Sequence, residues 1–263
     1  MILVPYGKYD VSKDALQYAI DFASAHQIDE LLCFRATEHS LSQNELSALK
    51  EEIQHEIAPY LKDNTDLTVE FTIENGAYDH VIDKLVASHP IRMIIAGIRK
   101  AKGLEKVLFQ GKAAKILRHT DLPVILIPEH FAFSPIQKIM FASDFKPIPN
   151  DDALDPLVEI AKISNAEIRI AHVRTEKGHL SEEEILEMNR ESALFKEIPH
   201  SFKHIHRSTI SKGINYYLKL KGDHDLLVLV KRKKGLIGRT FSHDHAIEFA
   251  LQPKLPLLIL NEG

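Results

Sequence analysis

The chain has one cysteine, Cys33, so no internal disulfide can staple it. Cys33 stands in the apolar run 31–34, where a buried structural thiol is expected, and a lone thiol is compatible with a reducing compartment. No apolar run approaches the roughly 20 residues that span a bilayer. The opening segment reaches Pro5 at once and leaves no room for the apolar stretch of a signal peptide. Charge of one sign is also scarce: a formal net charge of −4 and a pI near 6.4 give no global attraction to nucleic acid or anionic membrane. Gly-x-Ser-x-Gly, a Walker loop and the zinc-protease helix motif are all missing, which leaves the familiar hydrolase and transferase classes without a constellation. The histidine pairs His204/His206 and His243/His245 come from different segments, and no metal site is expected of them. The expectation is a cytoplasmic protein without membrane or nucleic-acid partners, more a binding protein than an enzyme.

What is present is a repeat. Asp14-Ala15-Leu16 opens one apolar-periodic helix and Asp152-Ala153-Leu154 opens another, each after a short apolar strand. Each copy closes alike, with Leu122-Pro123-Val124-Ile125-Leu126-Ile127 in one and Leu255-Pro256-Leu257-Leu258-Ile259-Leu260 in the other. The length suits two domains, 1–128 and 138–263, joined by a proline-bearing linker, 129–137. In the first copy, strands are predicted at 2–6, 30–37, 67–74, 91–96 and 123–127, with helices at 12–26, 42–62, 78–88 and 112–118. Ser42 and Glu45 read as a capping box, and Pro59 marks the end of that helix. In the second copy, strands are predicted at 138–142, 167–173, 201–207, 226–230 and 256–260. Its helices are predicted at 151–164, 182–195 (acidic), 211–220 and 243–251. Alternating βα units imply α/β architecture: two tandem doubly wound domains, each a five-stranded parallel sheet with helices on both faces. Ligands of such sheets bind past the carboxyl ends of the first and fourth strands.

The chain resembles the universal stress protein family in its tandem form. The resemblance is carried by Met93-Ile94-Ile95-Ala96-Gly97, Gly103-Leu104-Glu105-Lys106, the run from Gly111-Lys112-Ala113 to His119, and the closing strand through Pro128. It implies a five-stranded sheet in the adenine nucleotide alpha hydrolase-like superfamily and pairing of domains through their last strands. That pairing would make an intramolecular pseudo-dimer, with higher oligomers open. It also implies, for some members, binding of ATP or AMP. The candidate nucleotide site in the first domain is therefore Gly97, Arg99, Lys100, Gly103, Gly111, Lys112 and Ala113.

The pattern is damaged in both copies. Nucleotide-binding members carry Gly-x-x-Gly, nine residues, then Gly and a small hydroxyl residue, so that backbone N–H groups reach phosphate oxygens. Here Lys100 replaces the second glycine, the loop to Gly111 is one residue longer, and Lys112 takes the hydroxyl position. The family's nucleoside-holding aspartate, two residues after the first-strand proline, is Gly7. The second copy keeps that aspartate in Ser143-Asp144, its weaker candidate site, but its loop from Lys231 lacks glycine at the strand end. The glycines are either phosphate cradles or retained turns. Lys100 and Lys112 are either point-charge phosphate ligands or solvated charges. The run Lys231–Lys234 reads as a solvated charge run, and Asp144 as structural or ligand-facing rather than a phosphoacceptor. The leading expectation is a regulatory stress protein with adenine nucleotide in domain 1. A nucleotide-independent scaffold is the alternative, and slow nucleotide hydrolysis a further one.

Overall fold

The computed structural model describes residues 1–7, 10–61, 66–99, 112–175, 179–232 and 255–262. The chain divides into two compact units, Met1–Phe133 and Ser134–Gly263. The division falls inside the proline-bearing segment because Phe131 and Phe133 pack their rings on Tyr18 of the first unit.

The first unit runs β1 (Ile2–Pro5), α1 (Asp10–Ala25), β2 (Glu30–Thr37), α2 (Gln43–Leu61), β3 (Thr68–Asn75), α3 (Tyr78–Ser88), β4 (Met93–Ile98), α4 (Lys112–His119) and β5 (Val124–Pro128). Its strands are ordered β3-β2-β1-β4-β5, and every pair is parallel. Crossovers on one side of β1 bring α1 beside α2, and those on the other bring α3 beside α4. Right-handed connection puts the two pairs on opposite faces. β1 and the apolar run of β4 are covered on both faces, with Leu3, Val4, Ile94 and Ile95 fully buried. Each such side chain contributes about 1.5–3 kcal/mol of transfer free energy. The Ser42/Glu45 box is formed, with Ser42 N–H donating to Glu45 at 2.8 Å and Glu45 N–H to Ser42 Oγ at 3.4 Å.

The second unit repeats the plan: β6 (Lys138–Ser143), α5 (Asp155–Ile163), β7 (Glu167–Arg174), α6 (Glu182–Leu194), β8 (His200–His206), α7 (Ile210–Lys221), β9 (Leu226–Lys231) and β10 (Leu257–Asn261). The strand order is β10-β9-β6-β7-β8, again parallel. One expectation needs correction. Residues 151–164 are not one helix: a 3-10 turn at Asp151–Leu154 precedes α5, whose first turn takes Pro156. Proline fits that position because its nitrogen needs no acceptor there. The helix expected at 243–251 lies outside the described residues.

Candidate functional site

The two ladders put the halves in register. Ile2 pairs with Leu31 and Met93, and Ile139 pairs with Ile168 and Leu226, so these isoleucines hold the same place. Gly7 then corresponds to Asp144, Gly97 to Val230, and Arg99 to Arg232.

In the first unit the crevice at the ends of β1 and β4 is open at Gly7. A Cβ there would lie 3.5 Å from Ser12 Oγ and 3.7 Å from Lys112 Nζ, which is ordinary contact distance. Lys112 opens α4, and its ammonium sits over the Tyr78 ring, 5.2 Å from the centroid. The residue as a whole is exposed, yet its ammonium lies against the Tyr78 ring. Lost hydration and then the neighbouring Arg35 lower its pKa, against an opposing pull from Glu38. No ion pair joins Lys112 to a carboxylate among the described residues. Tyr78, at the start of α3, is buried, and its hydroxyl has no hydrogen-bond partner among them. Ala113 is half-buried beside Lys112 in the first turn of α4. Lys100, Gly103 and Gly111 lie outside the described residues.

Gly97 has a packing reason of its own. A Cβ on it would stand 2.1 Å from the Val11 carbonyl oxygen, a distance no side chain tolerates. α1 begins at Asp10, soon after β1 ends, and its first turn presses Val11 against β4. In the second unit the same stretch is a loop holding Pro147 and Pro149, and helical structure begins only at Asp151. Val230 there carries a buried side chain. Arg99 does not reach into the crevice as a lone cation: it faces Glu129 at 3.9 Å.

In the second unit the corresponding place is closed by the protein itself. Arg232 meets Asp144 at 2.5 Å and Glu262 at 3.1 Å, and donates to the carbonyls of Lys146 and Pro147 at 2.8 Å each. Arg232 is thus not part of a solvated charge run: its side chain is 13% exposed, and that of Asp144 is 3%. Glu129 and Glu262 occupy the same position past the last strand of each half, so the Arg–Glu pair is repeated. Only the second unit adds the aspartate. Ser143 Oγ donates to Glu191 on α6 and accepts from Phe145 N–H at 3.1 Å. His172 holds the Ser143 carbonyl through Nδ1 at 3.0 Å and stacks on Phe145 at 4.4 Å. Burial, the largest influence, lowers its pKa.

Sequence reasoning did not find Tyr78, Arg35, Glu191 or the service of Arg232. Aligning the repeats strand by strand would have exposed the Arg–Glu pair.

Among the described residues no helix is long and apolar enough to cross a membrane, and no three His, Cys, Asp or Glu side chains are grouped to hold a metal. Residues 1–128 match the model described as "Universal stress protein family". The whole chain is similar in fold to the crystal structure of a universal stress protein from Archaeoglobus fulgidus DSM 4304, at 20% identity and TM-score 0.75, covering 100% of this chain and 98% of that one. A functionally unknown protein from Pseudomonas aeruginosa PAO1 is similar at 16% identity and TM-score 0.57, over 99% of this chain and 92% of that one. The cytoplasmic domain of a prokaryotic cation chloride cotransporter is similar at 12% identity and TM-score 0.53, over 99% and 95%. No curated protein sequence matches.

Proposed function

We propose that this chain is a cytoplasmic universal stress protein acting by binding and regulation, and that its first unit takes an adenine nucleotide at the ends of β1 and β4. The observation that supports this is Lys112. Its ammonium lies beside the bare α-carbon of Gly7 with Tyr78 beneath it, and no ion pair neutralises it among the described residues. A lysine at a helix N-terminus serves phosphate as a point charge, and the N–H groups of the first turn add to the attraction. With no aspartate at position 7, affinity rests on the phosphates more than on the ribose. The order ATP above ADP above AMP follows, with inorganic triphosphate retaining much of the effect.

Thermal unfolding with each of these ligands tests the reading. Ligand at about 100 times Kd stabilises by about 2.7 kcal/mol. Lys112→Ala should lose most of the shift, whereas no shift in the wild type up to millimolar ATP would remove the nucleotide. A second reading, an interaction scaffold without nucleotide, is favoured by Gly97 and Arg232. Gly97 is accounted for by Val11 alone, and Arg232 occupies the aspartate that the family pattern offers a nucleoside. A wild type indifferent to all four ligands leaves that reading.

A further inference from the structure

A cavity of about 270 Å³ lies in the second unit, lined by neither Asp144 nor Arg232. It is walled by Ile148, Asn150 and Leu154 from the loop and turn after β6, and by Glu187, Arg190, Glu191 and Leu194 from α6. Asn150 and Leu194 are exposed and mark its mouth. α6 is built the wrong way round for an acidic surface helix: Glu187 and Glu191 are buried, while Leu186 is 71% exposed. Glu187 is paired with Arg190 at 3.0 Å. Glu191, 2% exposed, has the Ser143 hydroxyl on Oε1, but its Oε2 has no hydrogen-bond partner. Leaving such an acceptor unsatisfied is costly, because its lost hydration is not replaced.

The first unit shows how the same arrangement is completed. Tyr6 holds the ladder place of Ser143, four residues past Ile2 as Ser143 is past Ile139. Its hydroxyl donates to Glu56 on α2 at 2.6 Å, as Ser143 donates to Glu191 on α6. There the second carboxylate oxygen is filled as well: Lys13, in the first turn of α1, reaches Glu56 Oε1 at 3.1 Å. The second unit has neither group. A serine stands where the phenol ring was, and Asn150, whose side chain caps the turn by accepting from Asp152 N–H at 3.1 Å, fronts the cavity where a lysine would enter. The space and the orphaned oxygen are what remains when a phenol and an alkylammonium are deleted from this arrangement.

We propose that this cavity binds a small primary amine with a short hydrocarbon body. The ammonium pairs with Glu191 as Lys13 does with Glu56, the carboxyl giving its proton up to solvent as the cation binds, and the methylenes lie against Ile148, Leu154 and Leu194. The volume falls just below the roughly 300–1,000 Å³ typical of pockets for drug-sized ligands, which sets the size class. Glu187 is already matched by Arg190, which also lines the cavity, so Glu191 is the carboxyl left for a cation there. The site is independent of the nucleotide reading, because every wall belongs to the second unit.

The test is a titration of the full chain, methyl-labelled at isoleucine and leucine, with n-hexylammonium chloride, n-hexanol and sodium hexanoate. Saturable shifts of the Ile148, Leu154 and Leu194 methyls with the amine are expected, and at least about tenfold weaker binding of the other two. Glu191→Gln, which keeps an acceptor for Ser143, should weaken the amine by a similar factor. Asn150→Lys, on an exposed residue, should abolish binding by supplying the ammonium from the chain. Hexanol binding as well as the amine, hexanoate binding better, binding unchanged in Glu191→Gln, or no saturable shift with any of the three would each overturn the proposal.

Discussion

In the first unit Glu56 receives a phenol and a lysine and its pKa is lowered, whereas in the second Glu191 keeps only a hydroxyl and is pushed up to about 8 by burial. The halves differ in the same spirit at their strand ends. Position 7 is bare and Lys112 stands beside it, while Asp144 is locked under Arg232. One fold thus hosts two electrostatic solutions, and what separates them is where each carboxylate finds its cation. Among the described residues, the first unit has a cation without an ion-paired carboxylate at the crevice. The second has its carboxylate and cation consumed by each other, and one glutamate left over.

The strongest way to break this comparison is Arg232→Ala. It leaves Asp144 buried without its cation, and loss of one partner of a buried pair costs about 3–5 kcal/mol. Arg99→Ala, at the same ladder place but 47% exposed and 3.9 Å from Glu129, should cost under about 1 kcal/mol. Urea unfolding of both variants measures the contrast, and equal losses would remove it. Adding Asp144→Ala to Arg232→Ala should restore much of the stability, because the uncompensated charge goes with it.

Gly97→Ala comes next. With the Val11 carbonyl 2.1 Å from the new methyl, α1 must shift, and overpacking of this kind costs about 3 kcal/mol. The loss should appear without any nucleotide present. A stable Gly97→Ala protein would return the glycine to a purely ligand-bound role.

The two glutamates give a test by pH. Glu191 holds its proton in the fold up to about 8 but releases it near its ordinary value when unfolded. Between those values the native state binds more protons, so stability falls as pH rises, by at most about 1.4 kcal/mol per pH unit. Glu191→Gln should flatten that fall and overtake the wild type above neutral pH. Glu56 has the opposite sign: its lowered pKa gives stability present above the unfolded value and lost on acidification. Glu56→Gln should weaken the protein at neutral pH and matter less in acid. Its effect is the smaller of the two, since the Lys13–Glu56 pair is about one-third exposed. Urea midpoints of the two variants from pH 4 to pH 9 check both slopes.

The smallest effect is expected of Gly7→Asp. There is room for the side chain, and a partly exposed pair with Lys112 contributes less than about 1 kcal/mol. Its value lies in ligand preference: a carboxylate there should weaken inorganic triphosphate relative to ATP by screening Lys112 and offering the ribose a partner. Isothermal titration with the two ligands measures the ratio, and an unchanged ratio would separate position 7 from the site.

The repeat, the parallel strands and the helix starts at Gln43, Tyr78, Lys112 and Glu182 were legible because period and capping are local signals. Ser181 and Glu184 close a capping box, and Gly222 ends α7 at φ 66°, as residue types at those spacings require. The site was less legible. Glu187 and Glu191 look like the solvated face of an acidic helix, and nothing nearby in sequence says that Ser143, far along the chain, will meet one of them. Arg232 sits in a run of like charge that reads as solvent-exposed, yet its partners Asp144 and Glu262 lie on other strand ends. Such pairs are set by the ladder register, which orders residues by strand rather than by sequence neighbourhood. Gly97 was visible as a glycine, but its reason, one extra turn of α1, belongs to packing.

Hydrogen exchange with and without millimolar ATP tests most directly whether the first unit alone keeps an open anion site. The first amides of a helix have no acceptor within it and exchange readily, so a phosphate held there is recorded as protection. Slowed exchange is predicted at the starts of α3 and α4, around Tyr78 and Lys112, with the Ser143–Phe145 and Lys231–Arg232 segments unchanged. Protection at Asp144 and Arg232 with none at Lys112 would contradict it.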